Sequence, residues 1–234
     1  MDEYTYIISL GEDCFMRSLI DRYNIREKFK IRMPFDGAIH PYEEMCRLIE
    51  TDFVNYDNNI VVNDNIFYGS NGVIFNHEKT TDINNFKNQL CKRVEQFRQI
   101  LNEDCKILFL IHNKNKNADF NFNLIENALK IRFPNLKYHI FVFNNYHQES
   151  YINKTKNITY LNIFWNPNNI TNFSNLNYDD INNDFIRQMY ETPYGIDFSL
   201  KVLKEICLIL DEDYNNFRFN SNYYFDRALI EEKI

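Results

Sequence analysis

Apolar positions change their period along this chain, and each change predicts an element. Tyr6-Ile7-Ile8-Ser9-Leu10 is a short continuous apolar run, which predicts a buried strand over about Tyr4–Leu10 ending at Gly11. Phe15, Leu19 and Ile20 then recur at helical spacing, so a helix is expected from about Asp13 to Tyr23. In Lys28–Ile39 the segment Met33-Pro34-Phe35-Asp36-Gly37 is punctuated by proline and glycine and reads as a loop that packs its Phe inward. Pro41, the acids Glu43 and Glu44, and apolar Met45, Leu48 and Ile49 mark a second helix. Three β-rich runs follow, 60–62, 66–68 and 73–75, joined by Asn-Asp-Asn and Gly-Ser-Asn-Gly turns and ending at Asn76-His77-Glu78.

A long amphipathic helix is predicted from about Asp82 to Leu101, where Phe86, Leu90, Val94, Phe97 and Leu101 share a face. Beyond it come a strand over 106–111, a helix over 122–133, and strands over 138–143 and 158–164. Continuous apolar strands separated by a helix indicate parallel pairing with both faces covered. Further helices are expected at Phe185–Tyr190 and Ser199–Leu210, while the segment from 211 to 234 carries no pattern that places it. The fold class is therefore α/β: a single domain over 1–234 with a mainly parallel, Rossmann-like sheet flanked by helices and a β meander inserted at about 58–78.

Composition narrows the function classes. Apolar residues make up 44% of the 234 and aromatics 16%, enough for a full core. A net charge of −7, with no long basic block, disfavours a nucleic-acid partner. No apolar run is long enough to cross a bilayer and the N-terminus is acidic, so no membrane partner and a cytoplasmic location are expected. The five cysteines, at 14, 46, 91, 105 and 207, form no CxxC pair and no metal-ligand spacing with the histidines. Neither metal nor cofactor is expected, and the thiols read as reduced. A glycine-rich phosphate loop is lacking too, since Gly11 stands alone where three glycines would be needed.

In open parallel sheets ligands bind beyond the carboxyl ends of the strands, near the point where strand order reverses. Cys14, His112-Asn113, Asn144-Asn145 and Trp165-Asn166 would all sit at such ends. Cys14 is the most informative, because the first turn of a helix offers unpaired N–H groups and a positive dipole end that favour a thiolate. An inert half-buried cysteine fits the same place. Glu12 and Asp13 oppose the thiolate unless they cap the helix and point away. His77 fits a loop-closing role as well as a base, His112 is a competing base at the sheet edge, and Asp36 suits a turn.

Ile8-Ser9-Leu10-Gly11-Glu12-Asp13-Cys14, followed by Met33-Pro34-Phe35-Asp36, Asp52-Phe53 and His77-Glu78 ahead of a helix with Arg93 and Phe97, resembles a family of uncharacterised proteins catalogued as papain-like cysteine peptidases. The resemblance covers about the first hundred residues. It implies Cys14 as nucleophile, His77 as base and Asp36 or Glu78 as the carboxylate that orients the imidazole. Ser9, Gly11, Phe35, His112 and Asn144 are the expected substrate-side positions. The reaction implied is thiolate attack on an amide or ester carbonyl of a peptide, protein or small molecule, by a hydrolase or acyl transferase. Two other classes stand beside it: an enzyme of carbohydrate or nucleotide chemistry in which Cys14 is structural, and a non-enzymatic interaction protein using exposed aromatics.

Overall fold

Strand β1 (Tyr6–Ser9) lies parallel to β5 (Lys106–His112), with Ile7 opposite Leu108 and Ser9 opposite Leu110. β6 (Lys137–Asn144) continues the sheet parallel to β5, and β8 (Ile158–Asn162) lies parallel to β6. The strand β7 (Tyr151–Lys154) closes the edge antiparallel to β8, giving the order β1-β5-β6-β8-β7. In this computed structural model the described residues are 4–23, 25, 32–78, 80–113, 120–144, 149–163, 193–213 and 215. The helix expected at 185–190, Asn145, Trp165-Asn166 and most of the 211–234 segment lie outside them.

Alternation along each strand divides the apolar residues between two layers. Ile8, Leu10, Ile107, Phe109, Ile111, Ile140 and Val142 face α2 (Tyr42–Glu50), α3 (Ile83–Leu101) and α4 (Phe122–Arg132). Ile7, Leu108, Leu110, Phe141 and Phe143 face α1 (Phe15–Arg22) and α5 (Pro193–Leu210). Both faces are covered, which is why these strands read as unbroken apolar runs. The chain is thus mixed α/β, with a mostly parallel five-stranded sheet flanked by helices.

Three details differ from the pattern-based expectation. β7 is a strand the hydrophobic pattern does not announce, because all four of its residues are exposed on the sheet margin. Helix α1 begins at Phe15, two residues later than expected: Cys14 is its N-cap residue, and Asp13, one position further out, accepts the Phe15 N–H. The parallel strands also follow one another in chain order, so the described sheet contains no reversal and no crevice of that origin. What shapes the carboxyl edge is instead the long excursion between β1 and β5.

That excursion carries the small antiparallel sheet β2 (Val61–Asn63), β3 (Ile66–Tyr68) and β4 (Ile74–Phe75). Asp64 and Asn65, at φ 48° and 62°, supply the two left-handed residues of the tight β2–β3 turn. Phe67 and Phe75 pack on Phe86 of α3, at centroid distances of 4.2 and 4.8 Å. A bridge between Ile39 and Ile74 ties the meander back to the loop after Gly37. Asp82 accepts from the N–H groups of Asn84 and Asn85 and starts α3. The result holds His77, just past β4, against the Pro34–Gly37 turn.

Candidate functional site

Cys14 is the N-cap residue of α1, and its carbonyl accepts the Ser18 N–H at 2.9 Å. Its thiol is half-buried, at the carboxyl end of β1. The acid before it is committed on both oxygens: Asp13 Oδ1 accepts the Phe15 N–H at 2.9 Å, and Oδ2 lies 2.8 Å from His112 Nδ1. The first bond satisfies one of the unpaired donors at the start of α1. Asp13 therefore spends its charge on a first-turn N–H and an imidazole.

Gly11 brings the Cys14 loop against the Pro34–Gly37 turn. A Cβ there would stand 3.1 Å from the Phe35 carbonyl oxygen and 3.3 Å from that of Ala38, so glycine lets the two backbones approach more closely than a side chain would without a shift. One turn into α1, Arg17 forms an ion pair with Asp36 and another with Asp21. Asp36 is buried, and its Oδ2 also accepts the Met33 N–H at 2.8 Å, closing a turn in which the Asp36 N–H donates to the Met33 carbonyl. Gly37 follows at φ 70°, with His77 Cβ 3.5 Å from the position its own Cβ would take. Contacts thus run from the Cys14 helix through Arg17, Asp36 and Gly37 to His77.

Glu78 is held elsewhere. Arg93 Nη1 and Nη2 reach its two oxygens at 2.7 and 2.9 Å, and Arg32 Nη1 adds a contact at 3.1 Å. Burial raises the carboxyl's pKa, but these guanidinium groups outweigh it and keep the group below its ordinary value. Arg32 also donates to the His77 carbonyl at 3.2 Å. Glu78 is tied to the His77 backbone through Arg32 and to α3 through Arg93; the bonds that hold its two oxygens are to guanidinium groups.

Phe35 lies in the core, edge-on to His40 and Phe97 and tilted against Phe53. His40 is fully enclosed; its Nε2 meets the Tyr56 hydroxyl at 2.7 Å, and that hydroxyl donates to the Pro34 carbonyl at 3.0 Å. Burial pushes the His40 pKa down to about 3, so it is a neutral structural group. Ser9 is buried on β1 beneath α1, and Asn144 donates across the strand ends to the Asn113 carbonyl at 3.2 Å.

The four other thiols lie away from the start of α1. Burial pushes Cys46 and Cys207 up to about 12 and raises Cys105 as well, while the exposed Cys91 is raised by partial desolvation and Asp57. Among the described residues no cluster of His, Cys, Asp and Glu could hold a metal ion, and no helix is long and apolar enough to cross a membrane.

The bond that residue spacing does not announce is Asp13 to His112, which joins positions 99 apart. Its trace in the sequence is an acid immediately before a helix, together with a His closing an apolar strand. No protein-family model, no curated protein and no solved structure matches this chain.

Proposed function

We propose that the protein is a cysteine-dependent hydrolase or acyl transferase, with Cys14 as the nucleophile and His77 as its base. The observation that carries this reading is the convergence just described: the Cys14 loop packs on the Phe35–Ala38 backbone through Gly11, and Arg17–Asp36 and Gly37 link the same helix to His77. These contacts link three segments spread over more than sixty residues, which supports the pairing of Cys14 with His77. Asp36, paired with Arg17 of the nucleophile's helix and adjacent to Gly37, is the carboxylate this reading assigns to orient the imidazole.

In this reading His77 takes the Cys14 proton, and the thiolate attacks an amide or ester carbonyl to give a thioester. The Met16 N–H, in the first turn of α1 and without an intrahelical acceptor, is a donor for the oxyanion, a role commonly worth about 3–4 kcal/mol. A peptide, protein or small molecule supplies the carbonyl. Five free cysteines on an acidic chain suit a reducing compartment such as the cytoplasm. The succession of parallel strands and helices on both faces is what supports a Rossmann-like reading of the sheet.

The test is alkylation by iodoacetamide with peptide mapping across pH. Cys14 reacts at least tenfold faster than Cys91, the exposed thiol, and His77→Asn slows Cys14 alone. A Cys14 that labels no faster than Cys91 ends this proposal.

A further inference from the structure

His112 ends β5 on the sheet face covered by α1 and α5. Its ring stacks on Phe143, with centroids 5.0 Å apart and 22° between planes, and tilts against Phe15 at 5.2 Å. Two aromatic walls and the Asp13 bond fix this imidazole more firmly than a loop could. Because an ionised carboxylate only accepts, the bond to Asp13 puts the proton of the neutral ring on Nδ1 and leaves Nε2 with an open lone pair. Nε2 is buried, and among the described residues no group bonds it.

Two other polar atoms on this face share that condition. Ser9 Oγ lies on the neighbouring strand β1, and Ser199 Oγ lies on α5 one turn before Val202 and Leu203; both are buried, with no hydrogen-bond partner among the described residues. Lys154 opposes Thr159 at the start of β8 and reaches Glu205 at 3.3 Å, so the later part of α5 lies at the amino end of the sheet. Ser199, earlier in the helix, lies toward the carboxyl edge, where Cys14 and His112 are. Buried polar atoms seldom go unsatisfied, so each of these three is a group that a small polar molecule such as water would satisfy.

Building on the Cys14 reading above, we propose that Asp13 and His112 form a second acid–base pair that activates the water which opens the Cys14 thioester. His112 Nε2 accepts a proton from that water, and its oxygen adds to the thioester carbonyl carbon. The carbon–sulfur bond then breaks, the Cys14 thiolate leaves with the bonding pair, and the imidazolium returns the proton to the sulfur. The products are a carboxylic acid and the free thiol. Asp13 is the positioning residue, since it holds the tautomer that leaves Nε2 basic. Two imidazoles then divide the work: His77 serves acylation and His112 serves deacylation.

The experiment is pre-steady-state hydrolysis of p-nitrophenyl acetate by the full chain. The wild-type protein releases a burst of about one p-nitrophenol per chain, followed by a slower steady state. His112→Asn, which keeps a donor for Asp13 and removes the base, retains the burst amplitude and lowers the steady-state rate about 100-fold. A steady-state rate within twofold of wild type overturns the assignment, and so does a joint fall in burst and steady state, which is what a structural role produces. If His112→Asn does not fold, Asp13→Asn is read by the same two criteria. A wild-type chain with no burst removes the cysteine reading itself, a failure distinct from an intact burst that is indifferent to His112.

Discussion

Glu78 and Arg93 meet as a two-pronged pair, Oε1 to Nη1 at 2.7 Å and Oε2 to Nη2 at 2.9 Å, with both side chains buried. The acid beside His77 therefore fixes the loop after β4 to α3, and Arg32 extends the clamp to the His77 carbonyl. Removing one partner of such a pair leaves the other charge buried, which costs about 3–5 kcal/mol, whereas replacing both by apolar residues is often nearly neutral. Glu78→Gln lowers the urea unfolding free energy by about that amount, and Glu78→Leu combined with Arg93→Leu recovers most of it. A Glu78→Gln loss below about 1 kcal/mol would contradict the clamp.

Asp36 links two parts of the site by separate bonds. Its carboxylate accepts a buried backbone N–H from Met33 and pairs with Arg17 of α1. Asp36→Asn keeps the shape but replaces an anion with an amide, and weakening bonds to a buried acceptor costs about 1–3 kcal/mol. Cys14 alkylation falls in parallel, because the helix that carries Cys14 loses its tie to the Pro34–Gly37 turn. Differential scanning and thiol labelling on one sample check both. Unchanged Cys14 labelling in a clearly destabilised variant would separate Asp36 from the nucleophile.

His40 gives the fold an acid sensitivity of calculable sign. Its pKa is about 3 in the folded chain because burial disfavours the charged ring, against an ordinary 6.5 once unfolded. The unfolded state therefore binds the extra proton first, so the stability His40 contributes is complete above about pH 6.5 and is lost progressively as pH falls toward 3. Each unit in that window costs about 1.4 kcal/mol, or about 2 kcal/mol at pH 5. His139, lowered by burial and by Lys106 and Lys154, adds to the same slope. Glu78 acts in a lower window, since its stabilisation is lost only below the ordinary carboxylate pKa. Urea unfolding between pH 7 and 5 shows the slope, and His40→Gln, which keeps a donor for Tyr56, removes most of it. A variant as acid-sensitive as the wild type would refute this account.

The elements that bury a periodic apolar face were readable from the chain alone. The α3 stripe from Phe86 to Leu101 and the unbroken runs of β5 and β6 each report a single physical demand, burial on one side or on both. β7 escaped because an exposed edge strand has no apolar face to show, and its partner is fixed only by β8. The candidate site was legible in part. The start of α1 put Cys14 at a helix end, and Pro34 and Gly37 announced a turn. The partners of Asp13, Asp36 and Glu78 were not legible, because His112, Arg17 and Arg93 are chosen by tertiary packing across 99, 19 and 15 positions. A charged side chain advertises that it needs a partner, and nothing in its neighbours names which one.

Gly11 offers the sharpest separation of site from scaffold. Its backbone has no left-handed conformation to preserve, so the cost of a side chain there comes only from close approach to the carbonyl oxygens of Phe35 and Ala38 at 3.1 and 3.3 Å. Both obstacles are backbone and cannot rotate away. Gly11→Ala must move the Cys14 loop and the 35–38 segment apart by a few tenths of an ångström, a small loss to a core held by Phe35, Phe53 and Phe97. Positioning is less forgiving, since misplacing reacting groups by about 1 Å can cost about 100-fold in rate. The expected outcome is a modest drop in melting temperature with a disproportionate fall, about tenfold or more, in Cys14 alkylation and in the p-nitrophenyl acetate burst rate. Proportionate losses in stability and reactivity would mean that the contact between these two loops supports the fold without setting the geometry of the thiol.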